Sequence, residues 1–80
     1  MRIEYSDEFK KQYKHLPRDV RDRARKQLAL FLENPRHPSL QSKKLKGIQG
    51  IWQARITHAY RFTFQIEGDL YRLLHIFHHE

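Results

Sequence analysis

Apolar and polar positions change period halfway along the chain. At the start, Ile3 and Tyr5 alternate with Arg2 and Glu4, which predicts a short strand over residues 1–5. Ser6 or Asp7 then offers a side-chain oxygen to the free N–H groups of a first helical turn, and Asp7 and Glu8 suit the positive end of the helix dipole. Phe9, Tyr13 and Leu16 fall at i, i+4 and i+7, one stripe of a helix that Pro17 stops while opening the next. Val20, Ala24, Leu28, Phe31 and Leu32 carry helical spacing to about Glu33, opposite Arg18, Arg21, Asp22, Arg25 and Lys26. Asn34-Pro35 ends that helix, because the residue before a proline is pushed out of helical geometry. Residues 36–41, with Pro38 and Ser39, read as a connecting loop.

Beyond residue 50 the period is two. Residues 51–57 and 61–66 alternate, Gly68-Asp69 makes a turn, and residues 70–77 form a third strand that is apolar on both faces and therefore central. Residues 43–46 extend the sheet at an edge before Gly47 and Gly50. The expected fold is a single α+β domain over residues 1–80: a strand, a helical hairpin, then an antiparallel three-stranded meander, with the helices on one face of a small sheet. Parity sends Trp52, Ala54, Ile56, Phe62, Phe64 and Ile66 to the core. Gln53, Arg55, Thr57, Arg61, Thr63 and Gln65 then lie on the helix-free face.

Charge gives that face a meaning. The chain has 80 residues, sixteen Lys and Arg against nine Asp and Glu, and a formal net charge of +7. Between Glu33 and Glu67 there is no acidic side chain, yet Arg36, Lys43, Lys44, Lys46, Arg55 and Arg61 all fall there. The other ten basic residues are nearly balanced by the nine acids, so the excess lies in one continuous stretch. A phosphate-binding surface needs such low local acidity, so a polyanion or an acidic protein is the expected partner. With no cysteine, a disulfide scaffold, a zinc finger and an iron–sulfur site are excluded. No apolar run approaches the roughly 20 residues that span a bilayer, and residues 1–5 lack the pattern of a signal segment, so a soluble cytoplasmic protein is expected.

His75, His78 and His79 cluster near the end of the last strand. His78 and His79 should point to opposite faces and no partner ligand can be identified, so no metal or other cofactor is expected. An imidazole beside bound phosphate can instead move a proton in phosphodiester cleavage. Arg55 and Arg61, without carboxylate neighbours in sequence, are free to fork a phosphate. Lys43, Lys44 and Lys46 either bind an RNA backbone or solubilise an edge strand, and Trp52 is either core or a base-stacking platform. No phosphate-cradling glycine loop, serine triad or catalytic carboxylate pair is present.

Lys44-Leu45-Lys46-Gly47, Ile51-Trp52-Gln53-Ala54-Arg55, Tyr60-Arg61-Phe62-Thr63-Phe64 and Ile76-Phe77-His78-His79-Glu80, in that order, resemble the RelE/ParE superfamily of bacterial toxins along essentially the whole chain. The subgroup looks closer to the YafQ- and HigB-like mRNA interferases than to the gyrase-inhibiting ParE branch. The resemblance implies a small, metal-independent endoribonuclease that cuts mRNA, in many members in the ribosomal A site, and that a cognate antitoxin silences. It implies mRNA and the ribosome as partners, and no membrane or DNA contact except through an antitoxin complex. By the same resemblance Arg61 stabilises the transition-state charge and Arg55 holds the scissile phosphate. His78 or His79 acts as general base or acid during attack of the 2′-hydroxyl, giving a cyclic 2′,3′-phosphate. Lys43, Lys44, Lys46, Gln53 and His58 join the expected RNA-binding set. There are departures: Gln53 stands where many members have a lysine, and the tyrosine that many carry a few residues past the terminal His/Arg position has no counterpart up to Glu80. Glu80 or His58 is the candidate substitute. Inhibition of gyrase by binding, and RNA binding without cleavage, are the alternative functions.

Overall fold

Both alternating stretches become strands in the computed structural model, which describes residues 1–47 and 50–79. Among these residues the order is β1 (Arg2–Tyr5), α1 (Asp7–Lys14), α2 (Arg18–Glu33), a 3₁₀ turn (Pro38–Leu40), β2 (Lys43–Lys44), β3 (Ile51–Arg55), β4 (Tyr60–Glu67) and β5 (Leu70–His78). The expected meander is β3-β4-β5. It is widened to five strands in the order β1-β5-β4-β3-β2, with β1 parallel to β5 and β2 antiparallel to β3. No helix is long and apolar enough to cross a membrane among the described residues.

The helix ends follow from the sequence. Ser6 Oγ accepts the Phe9 N–H at 3.0 Å and caps α1. Pro17 precedes the first residue of α2, and Asn34, extended at φ −156°, ends it before Pro35. Both helices lie on one face of the sheet. Phe31, fully buried, is packed edge-on against Phe62, Phe64 and Tyr71 at ring separations of 5.4, 4.8 and 5.7 Å. Two expectations need correction. Leu32 is 47 % exposed, and Gln27 takes a buried place in the α2 stripe, which its amide can occupy because it is hydrogen-bonded. The connector is also more than a loop: its 3₁₀ turn, with His37 Nδ1 accepting the Ser39 N–H, drives Leu40 fully into the core.

Strand β5 carries the irregularity that matters most. Its register against β4 shifts between Thr63 and Phe64: Phe64 faces Leu73, while Thr63 faces His75, leaving Leu74 as an extra residue. The cap of α1 and Gln12 in its last turn meet the backbone groups around this bulge. Ser6 Oγ donates to the Leu74 carbonyl and the Ile76 N–H donates to Gln12 Oε1, both at 2.6 Å. Before the bulge, Arg72 lies opposite Gln65 on the helix-free face; after it, His75 and Phe77 do, opposite Thr63 and Arg61. Without the extra residue, counting by twos from Arg72 would put His78 on that face. With it, His78 sits opposite Tyr60 on the helical side.

Candidate functional site

The two arginines singled out by parity are direct cross-strand partners, Arg55 opposite Arg61, at the turn end of the β3–β4 hairpin. Together with Gln41, Lys43, Gln53 and His79 they line a cleft of about 170 Å³ on the helix-free face. No carboxylate lines it among the described residues, and neither arginine makes an ion pair there. The far end of the same face is different. Arg72 bonds to Glu4 at 2.9 Å and to Glu67, and Arg2 bonds to Asp69 at 3.1 Å. The pair of carboxylates raises the pKa of Arg72, whereas burial, and then the charge of Arg55, lower that of Arg61. The cleft is thus a site of uncompensated positive charge, which an anion would relieve.

Local hydrogen bonds fix these side chains. Arg61 Nη1 donates to the carbonyls of Thr57 and, at 3.3 Å, Tyr60, while Thr57 Oγ1 accepts the N–H groups of Ala59 and Tyr60. Nε and Nη2 of Arg61 make no hydrogen bond among the described residues, so its fork remains available. The His79 N–H donates to the Ala59 carbonyl at 2.6 Å, which docks the end of β5 against the same loop. From the other side of the sheet, Gln27 Nε2 donates to the Arg55 carbonyl at 2.9 Å and to that of Ser39 at 3.3 Å, anchoring the end of β3 to α2.

The structure brings Arg55, Arg61, His79, Lys43 and Gln53 together and leaves the other expected site residues elsewhere. His78, paired with Tyr60, makes an edge-to-face ring contact with it at 5.0 Å. Lys44 lies opposite Trp52, on the helical side, and Lys46 is in the turn after β2; neither lines the cleft. His58 lines an adjoining cleft with Arg55. Glu80 lies outside the described residues. Trp52 is half-buried and stacked with Phe64 at 6.2 Å, a core contact. His75 is exposed opposite Thr63. No three His, Asp or Glu side chains converge as a metal site among the described residues.

Sequence reasoning missed Gln27, Gln41 and Thr63. A signal existed for Gln27, which sits three residues after Ala24 and four before Phe31 on the buried stripe. Gln41 takes a left-handed backbone, φ 48°, that its residue type does not announce. Thr63 is 9 % exposed, and its Oγ1 is buried with no hydrogen-bond partner among the described residues.

Residues 18–80 match the family of the ParE-like toxin domain. The chain belongs to this family. The rest of the chain supplies the remainder of the RelE/ParE toxin fold, as solved structures show. The YoeB/ParE toxin from Agrobacterium tumefaciens superposes with a TM-score of 0.80 at 17% identity, covering 100% of both chains. The RelB-RelE antitoxin-toxin complex from Methanococcus jannaschii gives 0.79 at 22% identity, over 94% of this chain and 88% of that one. YafQ from E. coli strain BL21(DE3) gives 0.77 at 20% identity, over 95% and 91%. No curated protein matches the chain by sequence. At identities of 17–22% these solved structures show a shared fold.

Proposed function

We propose that this domain is the toxin of a toxin–antitoxin pair and a metal-independent endoribonuclease acting on mRNA. The observation that carries the reading is the cross-strand pair Arg55–Arg61 with His79 in one cleft that no carboxylate lines among the described residues. Arg55 holds the scissile phosphate. Arg61, fixed at Nη1 and open at Nη2 and Nε, meets the charge that develops on the phosphoryl oxygens. The 2′-oxygen attacks phosphorus, the bond to the 5′-oxygen breaks, and a cyclic 2′,3′-phosphate forms. The 2′-hydroxyl loses a proton and the leaving oxygen gains one. His79 is the imidazole in reach of that exchange. Lys43 and Gln53 contact the backbone on either side of the scissile bond. Among the similar structures are an antitoxin-toxin complex from Methanococcus jannaschii and a toxin-antitoxin complex from E. coli. An acidic antitoxin segment over this cleft would silence it by charge complementarity and occlusion.

The test is incubation of the purified domain with ribosomes and mRNA. Discrete cleavage is expected, falling about 10²–10³-fold in Arg61→Ala with the circular dichroism spectrum retained. Intact transcripts with the unmodified protein reject the reading. The family match favours a second one, inhibition of DNA gyrase in the manner of the ParE branch. There the cationic cleft meets an acidic protein surface and His79 is dispensable. Loss of supercoiling activity with RNA left intact would select it.

A further inference from the structure

Arg55 borders two clefts. Besides the one it shares with Arg61 and His79, a larger cleft of about 540 Å³ opens toward α2, lined by Arg23, Ser39, Gln41, Arg55, Thr57 and His58 among others. Gln41 also borders both, so the two clefts meet along an Arg55–Gln41 ridge. The second cleft has the same electrostatic character as the first. It carries two guanidinium groups and an imidazole, and no carboxylate lines it among the described residues. Arg23 is exposed and makes no ion pair there, while its neighbour Asp22 is taken by Arg25 at 3.3 Å. The ridge is also where the backbone departs from ordinary geometry. Gln41 is the one non-glycine residue with positive φ among those described, and such strain concentrates where a side chain must be presented in a particular direction.

We propose that the second cleft is a subsite for the phosphate of a nucleotide flanking the cleaved bond. In it Arg23 and His58 supply charge, and Gln41 on the ridge hydrogen-bonds the sugar or base edge between the two phosphates. This rests on the ribonuclease reading and extends it: the substrate is a single strand threaded from the sheet face, across the ridge, to α2. Flexible single-stranded RNA can make that turn, whereas a stiff duplex cannot.

The test compares binding of a 2′-deoxy-blocked dinucleotide, which has one phosphodiester, with that of a hexanucleotide blocked in the same way, for wild type, Arg23→Ala, Arg23→Lys and Gln41→Ala. Both positions of substitution are exposed, and thermal melting checks that each variant is folded. In Arg23→Ala the hexanucleotide-to-dinucleotide affinity ratio is expected to fall about fivefold, and the slope of log K against log salt for the hexanucleotide by about 0.7. Arg23→Lys should restore the slope, and Gln41→Ala should lower the ratio and leave the slope unchanged. An unchanged ratio in folded Arg23→Ala, with the wild type still binding and cutting RNA, overturns the subsite alone. A wild type that binds neither oligonucleotide overturns the ribonuclease reading and the subsite together.

Discussion

Arg55 and Arg61 stand side by side with no carboxylate between them among the described residues, and the fold bears the cost of their repulsion. Because the pKa of Arg61 is lowered in the folded state, the unfolded chain holds that proton more tightly. The penalty, from burial first and the charge of Arg55 second, is therefore constant through the neutral range and is relieved only at strongly alkaline pH. Arg55→Gln should raise stability by a few tenths of a kcal/mol, the scale of exposed charge pairs, with the gain shrinking in salt. Denaturant melts at low and high ionic strength measure it; a loss of stability would mean that Arg55 has a compensating partner. Thr63 makes a second case. Its buried hydroxyl has no partner among the described residues, so Thr63→Val should be neutral or stabilising, by up to about 1 kcal/mol. A clear destabilisation would show a hydrogen bond to Thr63 that the fold conceals. The arginines were legible in the sequence because alternation in residues 51–57 and 61–66 is unbroken. Thr63 was not, since burial on a polar face depends on the strands flanking it.

At the level of elements, the helical hairpin does more than cover the core. Its residues hold both strand ends that build the site: Gln27 holds the end of β3, and Ser6 and Gln12 meet the bulge of β5. Gln27→Leu keeps the volume but removes both hydrogen bonds to the Arg55 and Ser39 carbonyls, and should cost about 1–3 kcal/mol with faster hydrogen exchange at the end of β3. Exchange unchanged there would refute the anchoring role. Ser6→Ala removes a helix cap and a bond to Leu74 together, at about 1–2 kcal/mol by denaturant melting. The bulge explains where the sequence stops being informative. Residues 70–77 are apolar on both sides, so no alternation marks the place where a residue is inserted. Whether His78 or His79 reaches the cleft turns on that single residue. The bulge is stabilised from α1, some 60 residues away in sequence, and local periodicity carries no trace of it.

For the molecule as a whole, one face of the sheet is packed by helices and the other is divided, ion-paired at the β1 end and left cationic at the β3–β4 hairpin. Fold and family were legible because the order of elements follows from hydrophobic period, proline and capping residues spread along the entire chain. The branch of the family was not, because a cationic face suits an RNA backbone and an acidic protein surface equally. Substitutions at the two adjacent histidines separate the possibilities, since the bulge turns only His79 into the cleft while His78 lies against Tyr60. The measurement is single-turnover cleavage of end-labelled mRNA by wild type, His78→Ala and His79→Ala. The account predicts a loss of about 10²–10⁴-fold in His79→Ala and a rate within a few-fold of wild type in His78→Ala. Equal rates for His79→Ala and wild type, or a loss confined to His78→Ala, would contradict it.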